Sequence, residues 1–224
     1  MSFLRGSSVP VQATRPDNGG NPSSHSPRAD LTEIPDTRQS RGLDQFFGSF
    51  HGRAGLSILD LGGACQQNIN FITSLGHRFY SEDFLRIFQE TFADVTDQSN
   101  PGQIDFFLRQ SLEYPDEQFD GVLAWDLLEY LEPALLTATA DRLLRVMKPQ
   151  GCLLAFFQAD ERLRPPCVTF RIQDLNTLQV SQIAERPVSK QLFNNRNLEK
   201  LFQKFRSVKF FLTRDSLREV IARK

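Results

Sequence analysis

The chain has 224 residues, 40% of them hydrophobic, a net charge of −1 and three cysteines. That length allows one domain with a substantial core and an appendage. The cysteines (Cys65, Cys152, Cys167) are odd in number and lack paired spacing, which argues against a disulfide framework and against zinc, and no apolar run reaches the length of a membrane span.

Residues 1–40 carry five of the 12 prolines, the pair Gly19-Gly20 and one of the 20 phenylalanines, Phe3. Such a segment buries too little apolar surface to offset its ordering entropy, so it reads as a disordered tail whose removal through residue 38 should leave the melting temperature unchanged. It lacks the apolar run of a secretory signal, and Asp17, Asp30 and Glu33 argue against a transit peptide. With unpaired cysteines, this points to the cytoplasm.

From residue 41 the pattern alternates. Arg41–His51 reads as a helix with Leu43, Phe46, Phe47 and Phe50 on one side, Leu56–Leu61 as a buried strand, and Gln67–Leu75 as a helix stopped by Gly76. His77–Ser81 is a second predicted strand, Asp83–Phe92 a helix and Ile104–Leu108 a third strand. Phe119–Trp125 is a fourth strand, Ala134–Met147 a helix ended by Lys148-Pro149-Gln150-Gly151, and Cys152–Phe157 a fifth strand. Residues 160–185 form a Pro-bounded insertion or flap, with Val168–Ile172 and Thr177–Val180 as extra strands. Leu198–Phe205 is helical, and Ser207–Thr213 with Leu217–Ala222 reads as an antiparallel hairpin. Strands alternating with helices imply a parallel sheet with right-handed crossovers.

Charge is unevenly spread. Residues 186–224 hold 11 Lys/Arg against three acids, and residues 41–185 hold 11 against 20. The basic end has the sign to attract nucleic acid, but its aromatics (Phe193, Phe202, Phe205, Phe210, Phe211) are spaced as core, and a solvated surface is the simpler reading.

The chemistry concentrates at Ile58-Leu59-Asp60-Leu61-Gly62-Gly63-Ala64. A buried strand delivers the chain to a tight turn of small residues, and the next helix points its free N–H groups at whatever lies there. This segment resembles the D-x-G-x-G-x-G motif of the class I S-adenosylmethionine-dependent methyltransferases. Phe119-Asp120-Gly121-Val122-Leu123-Ala124-Trp125-Asp126-Leu127-Leu128-Glu129-Tyr130-Leu131, followed by Leu144-Arg145-Val146-Met147-Lys148-Pro149-Gln150-Gly151, looks like their fourth- and fifth-strand blocks. The resemblance implies an α/β, Rossmann-like three-layer sandwich over residues 41–224, with a mostly parallel seven-stranded sheet ending in an antiparallel hairpin.

It also implies S-adenosylmethionine as cofactor; the methyl acceptor is not identified by it, and a small molecule is the first expectation. Asp60 would face the cofactor's amino-acid end, with Gly62, Gly63 and Ala64 at the positions of close approach. Glu82 or Asp83 would take the ribose hydroxyls, the other capping the following helix. Gln110 and Leu112 would lie near the adenine, and Trp125 and Asp126 would face the transferred methyl group, Asp126 as candidate general base. Two departures stand out: Gln66 replaces the last glycine, and Arg109 and Gln110 stand where an acid usually meets the adenine amine.

These departures motivate an alternative, a non-catalytic protein that keeps the fold for binding or scaffolding, and the basic end motivates a second, an RNA methyltransferase. A nicotinamide dehydrogenase is disfavoured because Gln67 stands at the last glycine of G-x-G-x-x-G. No N-P-P-[YF] tetrad follows the fourth strand, which weighs against methylation of base amino groups.

Overall fold

The computed structural model describes residues 36–93, 97–160, 168–182, 191–214 and 216–224. In chain order these form β1 (Asp36–Gln39), α1 (Arg41–Gly48), β2 (Ser57–Asp60), α2 (Gln66–Ser74), β3 (Arg78–Ser81), α3 (Phe84–Phe92) and α4 (Pro101–Ser111). There follow β4 (Phe119–Trp125), a single 3-10 turn (Leu127–Tyr130), α5 (Pro133–Val146), β5 (Met147–Gln158), β6 (Val168–Ile172), β7 (Thr177–Gln182), α6 (Asn195–Leu201), β8 (Ser207–Leu212) and β9 (Leu217–Arg223).

The main sheet has the order β3-β2-β4-β5-β9-β8. Its first four strands are parallel, and β9 returns antiparallel to β5 and β8. Period-2 alternation splits the strands between two cores. Val122 and Ala124 of β4 and Leu153, Ala155 and Phe157 of β5 join the core under α3, α4, α5 and α6. Leu123, Trp125, Leu154 and Phe156 join the opposite core, under α1, α2 and a separate three-stranded sheet of order β1-β7-β6. The aromatics Phe202 and Phe205 of the basic end are buried in the first core.

Two expectations are corrected. Ile104–Leu108 is not a strand but the middle of α4. The local chemistry favours this: Asn100 caps the helix by accepting from Gly102 N and Gln103 N, and Pro101 occupies its first turn. Phe107 is fully buried while Phe106 points outward at 49% exposure, a helical division of a run that looks uniformly apolar in sequence. Among the described residues the main sheet therefore has six strands, not seven, with β3 at one edge. The tail boundary at residue 40 also falls inside ordered structure. Residues 36–39 pair antiparallel with β7, and Ser40 caps α1 by accepting from Leu43 N at 3.0 Å. Residues 1–35 lie outside the described residues, as do residues 161–167 and 183–185 of the insertion and residues 186–190 after it.

Candidate functional site

The site is built at the carboxyl ends of β2 and β4. Asp60 ends β2 and is fully buried. The chain then turns through Gly63, whose φ of +86° is a left-handed conformation that glycine adopts without strain. The turn is tied to the start of α3: Gly63 N donates to Glu82 O at 3.0 Å, and Phe84 N to Leu61 O at 3.2 Å. Helix α2 begins at Gln66 behind Cys65, which offers its N-terminus no side-chain hydrogen bond.

Asp60 accepts three hydrogen bonds from residues around it. Its Oδ1 accepts from Gly62 N at 2.8 Å and from Trp125 Nε1 at 2.6 Å, and its Oδ2 accepts from Asn68 Nδ2 at 2.9 Å. Burial pushes its pKa up to about 6, against the three hydrogen bonds that favour the carboxylate. Asn68 in turn reaches the small sheet: Ile172 N donates to its Oδ1 at 2.8 Å, and its Nδ2 also approaches Phe170 O at 3.4 Å. Gln67 Nε2 donates to Ile172 O at 3.2 Å.

Trp125 is the last residue of β4, 3% exposed, with a φ of +49°. Its indole lies against the turn, stacked on Phe170 (centroids 5.5 Å apart, planes 13° apart) and packed on Phe156. A Cβ placed on Gly62 would meet Trp125 Cδ1 at 2.9 Å, Trp125 Nε1 at 3.0 Å and Asp60 Oδ1 at 3.1 Å. The glycine makes room for the indole.

A cavity of about 530 Å³ opens beside this arrangement, lined by residues 62–68 of the turn and α2, residues 125–127 after β4, and residues 168–171 of β6. The structure thus brings Gly62, Gly63, Ala64, Trp125 and Asp126 to one cavity, with Asp60 behind them. Asp126 is 2% exposed and precedes the 3-10 turn.

The other expected residues lie elsewhere. Asp83 caps α3, accepting from Arg86 N at 3.2 Å. Glu82 is half-buried at the end of β3, outside the cavity wall, and accepts a hydrogen bond from the Tyr114 hydroxyl. Burial, and then Glu82, raise the Tyr114 pKa. The adenine contacts expected of Gln110 and Leu112 presuppose a third strand; with α4 there instead, Gln110 sits exposed on a helix and Leu112 is buried in the core. Asn68, Phe170 and Tyr114 carry contacts that sequence reasoning missed. Among the described residues no helix is long and apolar enough to cross a membrane.

No family model and no curated protein matches the chain. Solved structures do. A SAM-dependent methyltransferase from Archaeoglobus fulgidus aligns over 81% of this chain and 91% of its own, at 15% identity and a TM-score of 0.50. A protein from Pyrococcus horikoshii aligns over 81% and 88%, also at 15% identity and a TM-score of 0.50. A looser match, 14% identical over 82% and 77% with a TM-score of 0.44, is a Burkholderia thailandensis 1,6-didemethyltoxoflavin-N1-methyltransferase with S-adenosylhomocysteine bound. The chain has the fold of the class I S-adenosylmethionine-dependent methyltransferases.

That fold implies S-adenosylmethionine, whose amino-acid end would need the face of Gly62 and the carboxylate of Asp60. Here the indole of Trp125 stands against the first and donates to the second. As arranged, the residues present do not fit that end of the cofactor.

Proposed function

We propose that this chain is a non-catalytic binding protein of methyltransferase fold, which holds a small molecule in the cavity at the glycine turn. The observation that supports this reading is the place of the Trp125 indole, which stands against one face of Gly62 and donates to Asp60 Oδ1. The cavity beside it keeps the composition of a small-molecule site: apolar walls from Leu127, Val168 and Phe170, and a few polar groups from Gln66, Gln67 and Asp126. Strand β6 shields one side from water, and Asn68 and Gln67 hold it in place. The test is calorimetric titration of the full chain with S-adenosylmethionine. No binding heat is expected, and a Kd tighter than ~10 μM, about −7 kcal/mol, would sink the reading.

A second reading, S-adenosylmethionine-dependent methyl transfer to a small-molecule acceptor, is favoured by the positions of two carboxylates. Glu82 directly follows β3, where a ribose would be met, and Asp126 lines the cavity after β4. In that reading Asp126 is the group available to take a proton from the acceptor. Release of S-adenosylhomocysteine on incubation with cell extract and S-adenosylmethionine would favour it over the first.

A further inference from the structure

We infer that Trp125 is a resident occupant of the turn's amino-acid subsite and is the specificity-determining residue that keeps S-adenosylmethionine out. The inference rests on the binding-protein reading above. Three observations carry it. The first is space: with Trp125 Cδ1 2.9 Å from where a Gly62 Cβ would stand, no ligand atom fits between the ring and that face of Gly62. The second is mimicry of charge: the indole N–H presents its positive end to Asp60 Oδ1 at 2.6 Å, the kind of contact a ligand ammonium would make with that carboxylate. The third is that the ring is held there at a cost. Trp125 has a φ of +49°, a left-handed conformation that bulky residues rarely adopt, and the ring is clamped by Phe170 at 5.5 Å and Phe156 at 5.7 Å. A strained backbone that delivers a large side chain onto the glycine of a ligand turn occupies the place that glycine would otherwise leave open.

The experiment titrates S-adenosylhomocysteine into the full-length wild type, Trp125→Ser and Trp125→Phe, with circular dichroism to confirm folding. The wild type and Trp125→Phe, which keeps a ring in the trough, should show no saturable binding. Trp125→Ser, which empties it, should bind at least ~10-fold more tightly than the wild type. A folded Trp125→Ser that gains no affinity overturns the inference and leaves the binding-protein reading standing. Equal binding by Trp125→Phe and Trp125→Ser also overturns it, because ring bulk is then not what excludes the ligand. Binding by the wild type overturns both. Should Trp125→Ser fail to fold, the indole N–H resonance of the wild type decides, since the chain holds one tryptophan. A resonance unmoved by millimolar S-adenosylhomocysteine supports resident occupancy, and one that shifts with saturation overturns it.

Discussion

Asn68 binds Asp60 and Ile172 at once: its Nδ2 donates to Asp60 Oδ2 at 2.9 Å, and its Oδ1 accepts from Ile172 N at 2.8 Å. With Nδ2 also facing Phe170 O, the side-chain amide meets the outer edge of β6 much as a strand residue would. One carboxamide therefore joins the glycine turn to the small sheet.

Asn68→Ala should cost about 2–4 kcal/mol, because it strands a buried carboxylate oxygen and a buried strand N–H together. Urea unfolding measures the loss. Hydrogen exchange at Ile172 should accelerate beyond what the global destabilisation accounts for. A variant whose loss is below 1 kcal/mol, or whose Ile172 amide exchanges as in the wild type, would show that apolar packing alone seats β6.

Stability should carry the signature of Asp60. Its folded-state pKa, about 6, lies above the ordinary 3.8, so its contribution is full below about 3.8 and is lost as pH rises through about 6. The span corresponds to at most about 3 kcal/mol. The free energy of the wild type minus that of Asp60→Asn, taken from urea melts between pH 4 and pH 7.5, should fall as pH rises. A difference that is flat or rises would mean that the three hydrogen bonds outweigh the burial.

Gly62→Ala should be destabilising without any ligand. The added methyl would sit 2.9 Å from the indole and 3.1 Å from the Asp60 carboxylate. Overpacking of this kind costs about 1–3 kcal/mol. Thermal unfolding checks it, and in a Trp125→Ser background, itself destabilised, adding Gly62→Ala should cost much less than it does in the wild type. A single variant as stable as the wild type would mean that the ring moves aside freely.

Truncation should distinguish two boundaries. Starting the chain at Ser40 removes β1, its pairing with β7, the hydrogen bond from Arg38 Nη2 to Thr213 Oγ1 and that from Gln39 Nε2 to Thr177 Oγ1. About 2 kcal/mol of lost pairing should lower the Tm by about 4–8 °C in a domain of this size. A chain beginning at Asp36 keeps all of these and serves as the control. Equal melting temperatures for the two would show that β1 adds nothing.

The central strands were legible because burial on both faces writes near-continuous apolar runs: β4 and β5 fall where Gly121-Val122-Leu123-Ala124 and Cys152-Leu153-Leu154 announce them. Helix ends were legible where capping chemistry is local, as at Asp83 before α3. Helix α4 was not, because Ile104-Asp105-Phe106-Phe107-Leu108 is too short and too apolar to display a period, and its one local signal, the Asn100-Pro101 start, lies outside that run. At the site, the turn could be read from Asp60 to Ala64, but the direction of the Trp125 ring depends on a positive φ that no sequence pattern encodes. The part played by Asn68 depends on a strand 104 residues further along the chain. Contacts of that kind belong to the tertiary fold alone.

The position of Trp125 has an optical consequence. It is the sole indole of the chain, so red-edge-excited emission from the whole protein originates at the glycine turn. The ring is shielded from water, touches a carboxylate and is stacked on β6, so its emission maximum, lifetime and accessibility to acrylamide each report a different neighbour. Undocking of the small sheet, protonation of Asp60 and arrival of a ligand in the cavity can therefore be followed in one cuvette, in real time, with no label attached.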